Sequence, residues 1–458
     1  MAKGGRGVEK RNDFSRGSVP RTMLRLSAPL IGAQLVNVTY NIVDRIYIGR
    51  LAGVGLTALA GVGLAMPVIT FIAAFASLAG HGGAPLCSIA RGAGDNDEAE
   101  KVLGNSFLLL CLFGAALTAV GLWIKEPVLR ALGATGDALT CANEYLTVYL
   151  TGSVFVLLSL GLNPFLSAQG FALQGMIAVG IGAVANIVLD PLFLFVMDMG
   201  VKGAALATVI SQLLSAGWTV YCLTRKRCIF RLRVARMRLH AATTVKILKL
   251  GFSSCVMKLT ESAVQLVCNR QLAVLDASGI YLTVMTVINS VRQVIMLAMS
   301  GFSEGSQPVM GFNYGAKRYD RVREAFRFMT LVCAAYSLVV WAVCQLWPGA
   351  LIAVFNSEES LREAGIPALR MYFATFFMMC LQMAGQFSFV ALNKPRHATF
   401  FSLLRKAFIV VPLTLILPHW FGVMGVFLAE PVSDAVGSAA CYTTFMLTVY
   451  RKELRSGA

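Results

Sequence analysis

Stretches apolar and long enough to cross a lipid bilayer, which takes about 20 helical residues each, recur along the whole chain. Twelve are legible, with cores near residues 24–48, 57–90, 103–124, 142–162, 170–197, 203–224, 248–275, 280–312, 327–348, 368–392, 398–417 and 423–449. In hydrocarbon each must satisfy its own backbone N–H and C=O groups, which a helix does within the segment. Only 14% of the 458 residues are charged, against roughly 25% in a soluble domain, and the mean hydropathy is +0.69. The expectation is an all-α integral membrane protein with twelve transmembrane helices.

Lys and Arg collect in the loops that stay in the cytoplasm. They gather at Lys3, Arg6, Lys10, Arg11, Arg16 and Arg21, in the link RKRCIFRLRVARMRL, in AKRYDRVR, and at Arg451, Lys452 and Arg455. Twelve crossings put all four groups on one side, so both termini are expected inside, in a cytoplasmic (inner) membrane. One alternate loop carries the acidic NSEES at 356–360. The formal charge of +17 is therefore a topology signal, with the basic link facing anionic membrane lipids. Nucleic acid is not an expected partner, because no aromatic interleaving or recognised nucleic-acid fold accompanies the link.

The chain also repeats itself. GVKGAALATVISQ at 200–212 returns 222 residues later as GVMGVFLAEPVSD, and GGAPLCSIARGAGDNDEAEKV at 82–102 returns 223 residues later as GSQPVMGFNYGAKRYDRVREA. One unit of six helices has been duplicated. An even number of crossings makes both copies enter from the same side, related by a pseudo-two-fold axis along the membrane normal. The expected organisation is a cytoplasmic arm (1–20), an N-lobe (21–224), a basic cytoplasmic linker (225–247), a C-lobe (248–450) and a cytoplasmic tail (451–458), with a substrate path between the lobes. Two lobes in one chain already complete such a path, so a monomer is expected.

Enzyme chemistry finds little support. No Gly-Lys pair offers a P-loop lysine, and His81, His240, His397 and His419 are far apart, with no HExxH. GFSEG at 301–305 matches GxSxG, but it sits in a long apolar helix rather than the strand, turn and helix that expose such a serine. The eleven cysteines are scattered without CxxC pairs and read as small buried hydrophobes. No cofactor is expected.

An ionisable group inside the membrane costs a few kcal/mol even on the mild insertion scale, so each one is a functional suspect. ANIVLDPLFLF at 185–195 places Asn186 and Asp190 one helical turn apart, on one face, just before Pro191. The first segment carries Asn37, Tyr40, Asn41 and Asp44 as one polar stripe on a helix kinked near Pro29, and the sixth carries Thr208. Two carboxylates, an amide and hydroxyls suit Na+ as hard oxygen ligands, or H+ on a carboxylate pair. The alternatives are an interfacial pair of Asp44 with Arg45, a helix-end role for Asp190, and a satisfied hydroxyl at Thr208.

SAPLIGAQLVNVTYNIVDRIYIGRLAG, ANIVLDPLFLF with GVKGAALATVISQ behind it, NPFLSAQG at 163–170, and GFSEGSQPVMGFNYGAKRYDRV together resemble the MATE (multidrug and toxin extrusion) transporters of bacteria. The resemblance runs from about residue 20 to residue 450. It implies two six-helix lobes and export of organic cations and other amphipathic compounds in exchange for Na+ or H+. It also implies a coupling-ion site at Asp44, Asn186, Asp190 and Thr208, and a bend in the first helix at Pro29. Glu261 matches the seventh-helix glutamate of the NorM branch, whereas that branch's tenth-helix carboxylate is Gln382 here, so the chain looks closer to the DinF-like side.

Asn37, Tyr40, Asn163, Glu261, Gln265, Asn269, Arg292, Gln382, Gln386 and Arg405 are candidate cavity residues. Arg292 and Arg405 would favour anionic substrates or hold a carboxylate such as Glu261 or Glu304; helix-end snorkelling is the alternative for Arg405, and Lys258 would neutralise Glu261. Nineteen Met and 28 Phe permit repacking around varied apolar ligands. The expected function is a Na+- or H+-coupled antiporter for small organic molecules, with a lipid-linked saccharide or lipid flippase of the same superfamily as the alternative.

Overall fold

A computed structural model of the chain describes residues 14–51, 55–276, 278–355 and 358–455, and no strand occurs among them. Lys3, Arg6, Lys10 and Arg11 of the expected arm, Asn356 and Ser357 of the acidic loop, and the last three residues of the tail lie outside the described residues.

Each of the twelve apolar stretches coincides with a helical rod. In the first half these are α1 (Val19–Gly49), α2 (Gly55–Gly92), α3 (Asn96–Ala131), a pair α4 (Gly136–Thr151) and α5 (Ser153–Ala168), α6 (Ala172–Pro191) with a π-helical extension Leu192–Val196, and α7 (Val201–Thr224). The second half has α8 (Ala241–Leu275), α9 (Ile280–Gly315) and α10 (Tyr319–Leu346), then short α11 (Pro348–Ala353), and α12 (Glu359–Tyr372) followed by α13 (Met379–Ala391). A rod built from α14 (Pro395–Leu403), a π-helical stretch Leu404–Val410, α15 (Val411–Ile416) and α16 (Pro418–Phe421) precedes α17 (Val423–Phe445).

Among the described residues, eight rods are long and apolar enough to cross a membrane, and α4 with α5, bent by 61°, makes a ninth. The other three, α1, α8 and α17, carry Asn37, Asn41 and Asp44, Lys258 and Glu261, and Glu430 and Asp434. These polar residues account for their shortfall in apolarity.

The rods pack into two compact units, one spanning Ala28–Cys255 and the other Phe14–Ser27 with Val256 onward. α1 runs unbroken through Pro29, which sits just past the change of unit. In the first unit, α3 starts at Asp95, whose carboxylate accepts from the Glu98 N–H at 2.9 Å, with Asp97 and Glu98 in the positive first turn.

The basic link keeps Arg225, Lys226 and Arg227 exposed while its backbone is fastened to the first unit. Buried Gln169 accepts from Ile229 N–H at 2.9 Å, Glu100 from Arg231 N–H at 3.1 Å, and Asn105 from His240 N–H at 3.0 Å. In the second unit, Asn313 and Arg321 hold the carbonyl of Phe14 at 3.1 and 3.2 Å.

Duplication is written in the backbone as well as in the residues. Three pairs of positive φ angles fall at the repeat offset: Gly94 with Lys317, Gly170 with Asn393, and Gly200 with Gly422. Gly200 (φ 58°, ψ −144°) and Gly422 (φ 56°, ψ −143°) start α7 and α17 in nearly the same conformation, one essentially reserved for glycine. The second glycine of each GVxG motif admits a close approach: a Cβ at Gly203 would meet the Phe193 backbone at 3.0 Å, and one at Gly425 the Leu417 backbone at 2.5 Å. Gly422→Ala is therefore expected to destabilise the fold by about 1–3 kcal/mol, read as a lower melting temperature of the purified protein in detergent. An unchanged melting temperature would contradict the glycine requirement.

Candidate functional site

In the first unit, α1, α4, α6 and α7 bring one polar group together. Asn186 and Asp190, 1% and 0% exposed, are successive turns of α6, and Asn186 Nδ2 donates to Asp190 Oδ1 at 3.2 Å. The same amide stands 3.5 Å from Thr208 Oγ1 on α7, whose hydroxyl donates to the Ala204 carbonyl at 3.0 Å. Pro191 has no N–H for the turn below it, and the helix passes into the π-helical turn Leu192–Val196 directly after this proline.

Asp44 of α1 lies against Asp190, buried, while Arg45 beside it in sequence is exposed. Tyr40, one turn earlier, stands beside Gln212 of α7. Tyr145 of α4 lies against Thr208 and stacks on Tyr149, ring centroids 6.0 Å apart.

Three buried oxygens in this group, Asp44 Oδ1, Asn186 Oδ1 and Asp190 Oδ2, have no hydrogen-bond donor among the described residues. Ionised carboxylates only accept. Two of them side by side, away from water, need a proton or a cation between them.

Other residues singled out in the sequence fall differently. Asn37 is half-buried on α1. The Asn163 amide donates to the Gly175 carbonyl at 3.0 Å and so braces the start of α6. Ser303 of GFSEG is 0% exposed and donates to Met299 O at 2.8 Å, a contact internal to α9.

The second unit holds a different cluster. Arg292 on α9, Arg405 and Lys406 on the π-helical stretch, and Glu430 and Asp434 on α17 are all buried. A single oxygen, Glu430 Oε1, accepts from Arg292, from Arg405 at 3.3 Å and from Lys406 at 2.8 Å. Asp434 takes a second bond from Arg405 at 2.5 Å, and Arg292 also donates to the Tyr372 hydroxyl at 2.6 Å.

This corrects the expected pairing. The arginines hold Glu430 and Asp434 rather than Glu261 or Glu304, and Arg405 is buried in an ion network rather than snorkelling. Lys258 bears on Glu304, while the cations facing Glu261 are Lys406, Arg292 and Arg405.

Glu261 and Gln265 are exposed and Asn269 is half-buried on α8. Gln382 is 4% exposed with its Oε1 lacking a donor among the described residues. Gln386 donates to Ala398 O and Ser402 Oγ, both at 2.8 Å, tying α13 to α14.

The carboxylates on α17 had a visible signal. The 222-residue offset aligns Thr208 with Glu430 and Gln212 with Asp434. Tyr145, Tyr149 and Gln212 had no comparable signal, since aromatic and amide residues are ordinary in apolar helices.

A duplicated helical fold of apolar rods, with buried clusters of charge inside them, is the architecture of a membrane transporter. The chain belongs to the MatE family, whose model matches residues 29–192 and again 253–416. It is 25% identical over 449 residues to the multidrug export protein MepA of Staphylococcus saprophyticus, covering 95% of each chain. Identity to the MepA of Staphylococcus aureus is 24% over 437 residues, again with 95% of each covered. Among solved structures it is similar to a MATE protein in the bent conformation (TM-score 0.90, 24% identity, 98% of both chains). A multidrug resistance MATE transporter of the MOP superfamily in an outward-facing conformation matches at TM-score 0.88 and 24% identity, covering 97% of this chain and 98% of that one.

Glu430→Ala would leave three buried cations with Asp434 as their one bonded acid. Breaking a buried ion network on one side costs about 3–5 kcal/mol, so this variant should melt well below wild type, or fail to fold. A melting temperature equal to wild type would show that Glu430 does not hold the second unit together.

Proposed function

We propose that the protein exports amphipathic or cationic organic compounds across the cytoplasmic membrane by antiport, driven by inward movement of Na+ or H+. The supporting observation is the set of three donorless buried oxygens on Asp44, Asn186 and Asp190. Such a set is costly when empty and is relieved by a proton or a small cation. Two carboxylate oxygens and an amide oxygen are hard donors suited to Na+, and two adjacent carboxyls equally suit one shared proton.

The kinship with multidrug export proteins supports small organic molecules as the cargo and a plasma membrane as the location. Ion binding at Asp44, Asn186 and Asp190, with Thr208 and Tyr40 around them, changes what α1 packs against. Pro29 offers the helix a place to bend, because its ring removes one backbone hydrogen bond. Release of substrate outward then accompanies ion entry, and the cycle returns on ion release inside. In this reading residues 21–224 and 248–450 are the working lobes, 225–247 is a cytoplasmic linker, both termini are cytoplasmic, and the monomer is the working unit.

The test is efflux of a fluorescent organic cation from proteoliposomes with a Na+ gradient and a pH gradient imposed separately. Wild type is expected to respond to one gradient, and Asp190→Asn to lose at least tenfold of that gradient-driven rate. Equal gradient-driven rates in wild type and variant would overturn the assignment.

A further inference from the structure

The ion network of the second unit uses only part of its cations. Arg292 bonds Glu430 and Tyr372 through Nη1 alone, and Arg405 reaches Glu430 and Asp434 through its own Nη1. Their Nε and Nη2 atoms make no hydrogen bond among the described residues, yet none is among the sealed, unsatisfied polar atoms. Those guanidinium edges therefore keep a little free surface, on side chains that are 11% and 10% exposed.

Three cations meet two bonded carboxylates here, so the bonded set keeps one positive charge in excess. A third acid, Glu261, lies within electrostatic reach of the same three cations, but it is exposed and bonds none of them. Cationic N–H edges and an unbonded carboxylate thus stand near one another without closing on each other. Buried guanidinium groups in a membrane span are expensive unless they find partners.

From this we infer that the second unit contains a carboxylate-binding subsite. The open guanidinium edge of Arg292, assisted by that of Arg405, receives a ligand carboxylate, and Glu261 receives an ammonium on the same ligand. A planar carboxylate matches the fork of a guanidinium through two parallel N–H···O bonds. The ligand class is zwitterionic and amino-acid-like, with an apolar body. Glu430 and Asp434 act as the backstop that fixes the arginines, and the Tyr372 hydroxyl holds Arg292 in place. The inference deepens the export reading by naming a cargo chemistry, and its test needs no gradient, so the two fail separately.

Two fluorescent probes that differ only by an α-carboxylate decide it: Nε-dansyl-lysine and dansylcadaverine, titrated by fluorescence anisotropy against the full chain purified in detergent. Wild type is expected to bind dansyl-lysine about tenfold more tightly, the size of one good charge-assisted pair. Arg292→Gln should bring the ratio close to one by weakening dansyl-lysine, and Arg292→Lys should keep part of the preference. A wild-type ratio of one or less overturns the subsite, as does a preference that survives Arg292→Gln. Should Arg292→Gln not fold, the wild-type ratio and its loss on adding excess unlabelled lysine, but not excess cadaverine, decide the matter.

Discussion

A charged group carried into a membrane interior must find an opposite charge, a proton or water, and this requirement organises the polar half of the structure. Apolar rods need nothing more than length and packing, and they supply the fold. The few rods that break the apolar rule are held to it by what their polar groups find. In the first unit Asp44 and Asp190 find each other and an amide, leaving three oxygens without donors. In the second, Glu430 gathers Arg292, Arg405 and Lys406 on one oxygen.

These are two outcomes of one duplicated template. Gly200 and Gly422 start α7 and α17 with matching dihedrals, so Thr208 and Gln212 occupy the places that Glu430 and Asp434 occupy in the second copy. In the first copy those places are neutral, and the acids come from α1 and α6. In the second, the places themselves are acidic and the cations come from neighbouring rods. The first arrangement has room for a positive guest; the second has already taken in positive charge and has some to spare. In the function proposed above, the first copy serves the ion and the second the cargo.

The fold was legible to a high degree because span length and apolarity dominate in lipid, where the backbone has few choices. All twelve rods, the repeat, and the convergence of Asn186 with Asp190 followed from spacing. The break inside the fourth rod and the π-helical stretches around Asp190 and Arg405 did not, since such local changes of winding depend on packing that a single strand of sequence does not display. The partners of Arg292 and Arg405 were misread for a related reason. Glu261 and Glu304 lie closer to Arg292 in sequence, and Glu430 and Asp434 lie closer to Arg405, but pairing across helices is decided by which faces meet. The repeat offset carried the missing clue at Glu430, because it aligned a carboxylate with a residue already suspected in the first half.

The central claim is that Asp44 and Asp190 hold a proton or a sodium ion between them. Infrared difference spectroscopy of the purified protein, taken between sodium-free and sodium-saturated buffer and also between low and high pH without sodium, tests it most directly. The account predicts either a protonated-carboxyl band or a sodium-induced shift of a carboxylate band in wild type, absent once Asp190→Asn is introduced. A wild-type spectrum with neither signal, or one left intact by that substitution, would contradict it.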